Sequence, residues 1–305
     1  MKRYVVIAMF MIGCANPADQ FRSAAPSQQA VNINVPGAGG SSASSVSESE
    51  QALVGQRATF YEITRGVTTV VNGGVGLTLL VLEHITDTTP SSLTATHATW
   101  GPHTEALSPT TWKFDVEKTG AIEYTYVLSA KPRFAQDSAY QGIIVGKAHV
   151  VSHLVGAGEF LFDFTAMRAV DPGVRAQGGI AVKYDNTSSP RVVEVAFKNF
   201  DDGIGSYTPN DALYRYAENA DTSGNFEFVT KADVDHDPLR ATEVVGIKSQ
   251  WLASGQGRSD VKATGGSLAS DQTLTECWSN SFARTYFTDT WNPSDTEGDV
   301  ASCKP

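Results

Sequence analysis

Ile122-Glu123-Tyr124-Thr125-Tyr126-Val127-Leu128 is the stretch that decides the fold. Its large apolar residues, Ile122, Tyr124, Tyr126 and Leu128, stand at every second position. Side chains on a strand alternate between its two faces, so this run reads as a strand with one buried face. The same period recurs on both sides. Trp112, Phe114 and Val116 precede it; Phe160, Phe162 and Phe164 follow. Ile180, Val182 and Tyr184 come next, then Val193, Val195 and Phe197, with further candidates over 213–217, 226–230, 244–251 and 277–287. Lys118-Thr119-Gly120, Asp185-Asn186, Thr222-Ser223-Gly224 and Gly265-Gly266 are turn clusters between the runs. Short turns join antiparallel neighbours, so the pattern predicts a meander of about nine to eleven strands, and a sheet that wide curls. The expected fold class is mainly β: an antiparallel meander curled into an incomplete barrel or sandwich, with one N-terminal apolar helix packed against it.

That helix is expected over 59–88. Phe60, Ile63, Val67, Val70, Gly74, Leu77, Val81 and Ile85 fall at three- and four-residue steps. Thr88-Thr89-Pro90 marks its end. Gly73, Gly74 and Gly76 each cost an isolated helix about 1 kcal/mol, so the segment needs tertiary contacts to persist. Two strands joined at Asn72-Gly73 are the alternative reading.

The chain starts with Met1-Lys2-Arg3, continues through an apolar run from Tyr4 to Ile12, and reaches Gly13-Cys14 before turning polar. A charged start, a short apolar run and a small residue are the plan of a signal peptide. The run is shorter than the roughly 20 residues of a membrane-spanning helix. Met11-Ile12-Gly13-Cys14 resembles the lipobox of bacterial lipoproteins, with Met where Leu is usual. The resemblance implies cleavage before Cys14, a diacylglycerol on its thiol and an acylated (palmitate-type) amine. Several acyl chains together give stable anchoring where one gives marginal affinity. Ala15, not Asp, follows Cys14, which in such lipoproteins implies the outer membrane. Residues 14–52 read as a lipidated flexible tether, because Pro36 to Ser45 is Gly-, Ser- and Ala-rich. Residues 1–13 are thus the expected signal peptide and 53–305 a single β-rich domain.

A net charge of −10 disfavours nucleic acid as a partner. With Cys14 lipidated, Cys277 and Cys303 remain as a pair, and in an exported protein an even remainder predicts a disulfide. The chain carries no Gly-x-Ser-x-Gly, Walker loop, His-Glu-x-x-His or Cys-x-x-Cys. No catalytic residue is assigned, and no cofactor is implied. Calcium is the one ion weighed, because Asp233, Asp235 and Asp237 alternate as in many calcium loops. Pro238 and Val244 break the EF-hand pattern there, so an acidic surface loop is the plainer reading. His149 and His153 are too far apart along one strand to share a metal. Trp100-Gly101-Pro102-His103 is an aromatic corner that reads as a core plug, with the border of a ligand pocket as the alternative.

A curled sheet around an apolar helix resembles the incomplete barrels of periplasmic lipoprotein carriers. The run Glu276 to Phe282, with Glu297-Gly298-Asp299 before Cys303, is similar to uncharacterised β-rich bacterial lipoproteins. That similarity implies no activity; the carrier-like architecture implies a non-enzymatic envelope protein that binds an apolar ligand or lipid between sheet and helix. The alternatives are a structural lipoprotein recognising an envelope protein or glycan, and an envelope hydrolase. Cys14→Ser is expected to move the protein from the membrane to the soluble fraction on cell fractionation; unchanged membrane association would refute the anchor.

Overall fold

Among the described residues, fifteen strands follow one another across a single antiparallel sheet, each paired only with its neighbours in sequence. The computed structural model describes residues 16–37, 54–152, 154–201, 203, 210–235 and 241–304. The strands are β1 (Ser92–Leu93), β2 (His97–His103), β3 (Thr110–Lys118), β4 (Glu123–Pro132) and β5 (Gln141–Ser152). Then come β6 (Val155–Asp163), β7 (Gln177–Asp185), β8 (Arg191–Asp201), β9 (Asn210–Glu218) and β10 (Gly224–Ala232). The last are β11 (Glu243–Trp251), β12 (Gly257–Thr264), β13 (Gln272–Trp278), β14 (Arg284–Asp289) and β15 (Glu297–Gly298). Because β1 and β15 are the two edges, the sheet curls without closing.

The period-two pattern reads directly onto the two faces. Tyr126, Phe160, Val182, Val195 and Tyr214 lie in one register row on the inner face, and all are buried. Gly146 completes that row because the Tyr126 ring lies over it; a Cβ there would stand 2.5 Å from the ring. The neighbouring outer row is Thr125, Lys147, Glu159, Lys183, Glu194, Arg215, Glu227 and Lys248, whose charges alternate in sign. Lys147–Glu159, Arg215–Glu194 and Lys248–Glu227 are ion pairs within it. Opposite charges in cross-strand pairs fix register without adding much to stability in water.

α3 (Thr59–Thr86) crosses the concave face, burying Tyr61, Thr68, Val71, Leu79, Leu82 and Ile85. The helix expected over 59–88 is therefore present, and the hairpin alternative at Asn72-Gly73 is not. Its threonines suit burial by returning their hydroxyls to the helix: Thr64, Thr68 and Thr86 each donate to the carbonyl four residues back. The Thr64 hydroxyl also joins a buried chain through Ser249 to Ser259, with both links 2.6 Å. Among the described residues no helix is long and apolar enough to cross a membrane.

The first turn of α3 is held by a carboxylate from the sheet. Glu276 of β13 accepts from Thr59 N and Phe60 N, both at 2.7 Å. Arg284 of β14 donates to the same carboxylate through Nε at 2.7 Å and to Thr59 Oγ1 at 2.9 Å. Glu276 is fully buried and Arg284 nearly so. Burial pushes the Glu276 carboxyl upward against the pull of Arg284. Every partner it has here is a donor, so the bonded form is the carboxylate. A negative group is favoured at a helix N-terminus, where free N–H groups and the helix dipole converge.

Residues 16–37 correct the expectation of a flexible segment throughout 14–52. They form α1 (Asp19–Arg22), α2 (Gln28–Val31) and an extended tail that runs back alongside α3. Phe21, Ala24, Val31, Ile33 and Val35 are buried in the main core. Composition pointed to a coil because the Gly/Ser-rich part lies further on, over 37–45; the preceding stretch carries enough apolar side chains to dock. The Asn72 side chain bonds to both the amide and the carbonyl of Ile33. Arg22 donates to the carbonyls of Thr86 and Thr88, satisfying the C-terminal end of α3.

Two further local expectations change, and two strands carried no signal. Phe164 does not extend a strand: Asp163 accepts from Ala166 N and starts α4 (Phe164–Val170). The single run expected over 277–287 is two strands, turned at Phe282, whose φ is +63°. β2 and β12 had no clear apolar alternation, since Gly101-Pro102 interrupts one and charges fill the other. Cys277 and Cys303 form a disulfide with Cα atoms 5.2 Å apart, tying the tail to β13; closing such a loop contributes about 3 kcal/mol in the chain-entropy model.

Glu276→Ala is expected to lower the unfolding free energy by about 3–5 kcal/mol, because it strands the buried Arg284 as well as uncapping α3. Denaturant titration measures this. Arg284→Ala should cost a similar amount, and the double variant clearly less than the sum of the two.

Candidate functional site

A cleft of about 470 Å³ opens where the described chain begins. One wall is α1 and the segment after it, with Arg22, Ser23, Ala25 and Ala30. Thr86 and Asp87 at the end of α3 close one side. The other wall is the tip joining β5 to β6 and its neighbour from β7, with Val150, Leu154, Val155, Gly156, Tyr184 and Asn186.

Each element is positioned by identifiable contacts. Phe21 packs edge-on against Tyr124, ring centroids 6.0 Å apart, which seats α1 on β4. The Lys118 ammonium reaches the Gln20 side chain at 3.0 Å. The β5–β6 tip is tied to the next hairpin by Asn186, which accepts from Gly156 N at 2.7 Å and donates to Leu154 O at 2.8 Å. Leu154 turns the chain with φ +65°, a region bulky residues rarely adopt, so the Asn186 bonds hold a strained turn. Gly158 lies beneath the Tyr184 ring; a Cβ there would meet its hydroxyl at 2.7 Å.

Of the Asp, Arg and His side chains lining this cleft, Asp19, Arg22 and His149 are paired, and Asp87 at the end of α3 is the fourth. Arg22 pairs with Asp19 at 2.7 Å, and His149 with its cross-strand partner Glu123 at 2.5 Å. Burial pushes the Tyr184 hydroxyl up to about 12, so it stays protonated at neutral pH. The hydroxyl and amide of Thr187 hold the Asp185 carboxyl below its ordinary range. A site whose walls carry Val150, Ala25 and Ala30 beside Asp87 and the Arg22–Asp19 pair suits an amphipathic or apolar ligand.

The rim has a feature that spacing alone did not reveal. Ile122 is 40%, Val151 55%, Leu154 41% and Val155 37% exposed, and all four sit on two neighbouring tips, β3–β4 and β5–β6. The backbone joins these tips, since Val150 N donates to Ile122 O at 2.9 Å. A second apolar surface lies on the outer face. Val127, Val145, Leu161, Ala181, Ala196, Leu213 and Val229 form one register row over seven consecutive strands. It lies beside the alternating charges described above and borders a shallow depression of about 630 Å³.

Of the residues singled out from the sequence, Cys14 and the signal peptide lie outside the described residues, as do Asp237 and His153. Cys277 and Cys303 are joined. Asp233 and Asp235 come together with Glu243, whose carboxylate was not part of the alternating run. Glu243 accepts from Val234 N and Ser267 N, which hold its carboxyl below the ordinary range, and Ser267 also bonds Asp235. Trp100 is a core plug, fully buried with Nε1 donating to Thr88 O. The cleft residues had no signal in the sequence because they come from four separate parts of the chain. No family model, characterised protein or solved structure matches the chain.

Asn186→Ala is expected to free the β5–β6 tip. Amide hydrogen exchange at Leu154, Val155 and Gly156 should accelerate by an order of magnitude or more, with β10–β12 unchanged. Unaltered protection at the tip would show that Asn186 does not hold it.

Proposed function

We propose that this chain is a lipid-anchored protein of the bacterial envelope, held at the outer membrane through Cys14, that binds an apolar ligand or a lipid acyl chain in the cleft beside α1. One observation carries the reading. Asp19, five residues after Cys14, lines the cleft together with Leu154 and Val155 of its exposed apolar rim. Five residues span at most about 18 Å. A lipid on Cys14 therefore brings Ile122, Val151, Leu154 and Val155 to the bilayer surface, where exposed apolar side chains lower their free energy by leaving water. The cleft then opens toward the same membrane, and a chain leaving the bilayer enters it without crossing water. The concave face expected to hold such a ligand is lined by α3 and the docked segment, so the binding place moves from the middle of the sheet to this end.

The outer apolar row favours a second reading, recognition of an envelope protein across the convex face, since exposed contiguous apolar surface marks interaction sites. The two differ in what they need. Ligand binding in the cleft is abolished by filling it; recognition on the convex face is abolished by charge at Leu161 or Leu213.

Native mass spectrometry of the full-length protein, purified from membranes in detergent, distinguishes them. One retained lipid-sized adduct is expected in the wild type and none in Ser23→Trp, whose indole fills the cleft. An adduct that persists in Ser23→Trp, or a wild type with no adduct, overturns the cleft reading and leaves the Cys14 anchor to be judged by fractionation alone.

A further inference from the structure

The geometry points to a binding site for a divalent transition-metal ion of the zinc class, held by His84, His103 and Glu105. His84 stands in the last turn of α3, His103 ends β2, and Glu105 lies two residues further on. A ring nitrogen from each histidine and a carboxylate oxygen of Glu105 all lie within 4.8 Å of one another. Tetrahedral zinc, with bonds of about 2.0–2.2 Å, sets its ligand atoms about 3.4 Å apart. All three side chains are exposed, so small rotations bring them to that spacing.

Two further observations support the assignment. Among the described residues these three side chains make no hydrogen bond or ion pair, whereas His149 pairs with Glu123 and His97 with Asp115. The backbones that carry them are also fixed. Thr88 O accepts from Trp100 Nε1 and Arg22 Nη2, Ser91 donates to Thr99 O and Gly101 O, and Arg133 donates to Ala106 O. The end of α3, the start of the sheet and the loop after β2 are thus held in place before any ion arrives, which lowers the ordering cost of binding.

The donor set selects the ion. Calcium and magnesium take six or more oxygens, and only one carboxylate is present here. Two imidazoles and a carboxylate suit zinc and its neighbours. A small pocket of about 250 Å³, lined by Thr88, Thr89, Ser91 and Pro102 beside the histidines, leaves room for a further ligand on the ion. The site would staple the helix terminus to the first edge of the sheet. It is independent of the lipid anchor and of the cleft.

Titration calorimetry of the full-length protein, purified without a histidine tag and stripped with chelator, tests the assignment with ZnCl₂. One equivalent is expected to bind. His84→Ala and His103→Ala should each weaken it by about tenfold or more, the scale on which even outer partners of metal ligands act. Asp235→Asn should leave it unchanged, and circular dichroism should show both histidine variants folded. No zinc binding, or binding that survives both histidine variants, overturns the site.

Discussion

The Glu276 carboxylate holds the molecule together at its most demanding point. α3 crosses the concave face and leaves its first N–H groups inside the protein, away from water. Unpaired, each would cost about as much as a lost hydrogen bond. Glu276 satisfies two of them, and Arg284 balances the charge that this places in the interior. The pair also fixes where the helix enters relative to β13 and β14, so the helix axis and the sheet curvature are set together. Tyr61 then stacks on Phe282 and packs against Trp278, completing a small second core around this entry.

Closure of the opposite end uses the chain's own N-terminal part. Phe21, Val31 and Ile33 insert beside α3, while Arg22 binds the carbonyls at the helix end. The helix is therefore capped by the sheet at one terminus and by the docked segment at the other. The arrangement explains how a helix with Gly66 and Gly73 in its interior persists: packing supplies what propensity withholds. Docked structure reaches back to Asn16. Under the anchor proposed above, such a docked segment would orient the domain at the membrane, where a long tether would let it move freely.

The two faces of the sheet divide the work. The inner rows bury tyrosines, phenylalanines and valines against α3. The outer rows carry alternating charges beside a band of apolar residues. Alternating signs on adjacent strands hold register and discourage slippage, because a shift along any strand brings apolar side chains opposite charges. The apolar band beside that charged row leaves Val145, Leu161, Leu213 and Val229 exposed on one face.

The period of two in Ile122 to Leu128 and its counterparts determined the strands, their antiparallel order and the buried face, because alternation is a local property of a pleated chain. The three- and four-residue steps of 60–85 determined the helix for the same reason, and Cys277 and Cys303 stood out as the pair left over. Phe164 and the division of 277–287 were not legible, since a single capping aspartate and a turn at positive φ decide them. Glu276 read only as part of a C-terminal motif; nothing in its neighbourhood announces a helix terminus more than two hundred residues earlier. The cleft, its rim on two hairpin tips and the meeting of His84 with His103 and Glu105 were decided by tertiary structure alone. Register and curl bring residues distant in sequence to one place, and no spacing along the chain encodes that distance.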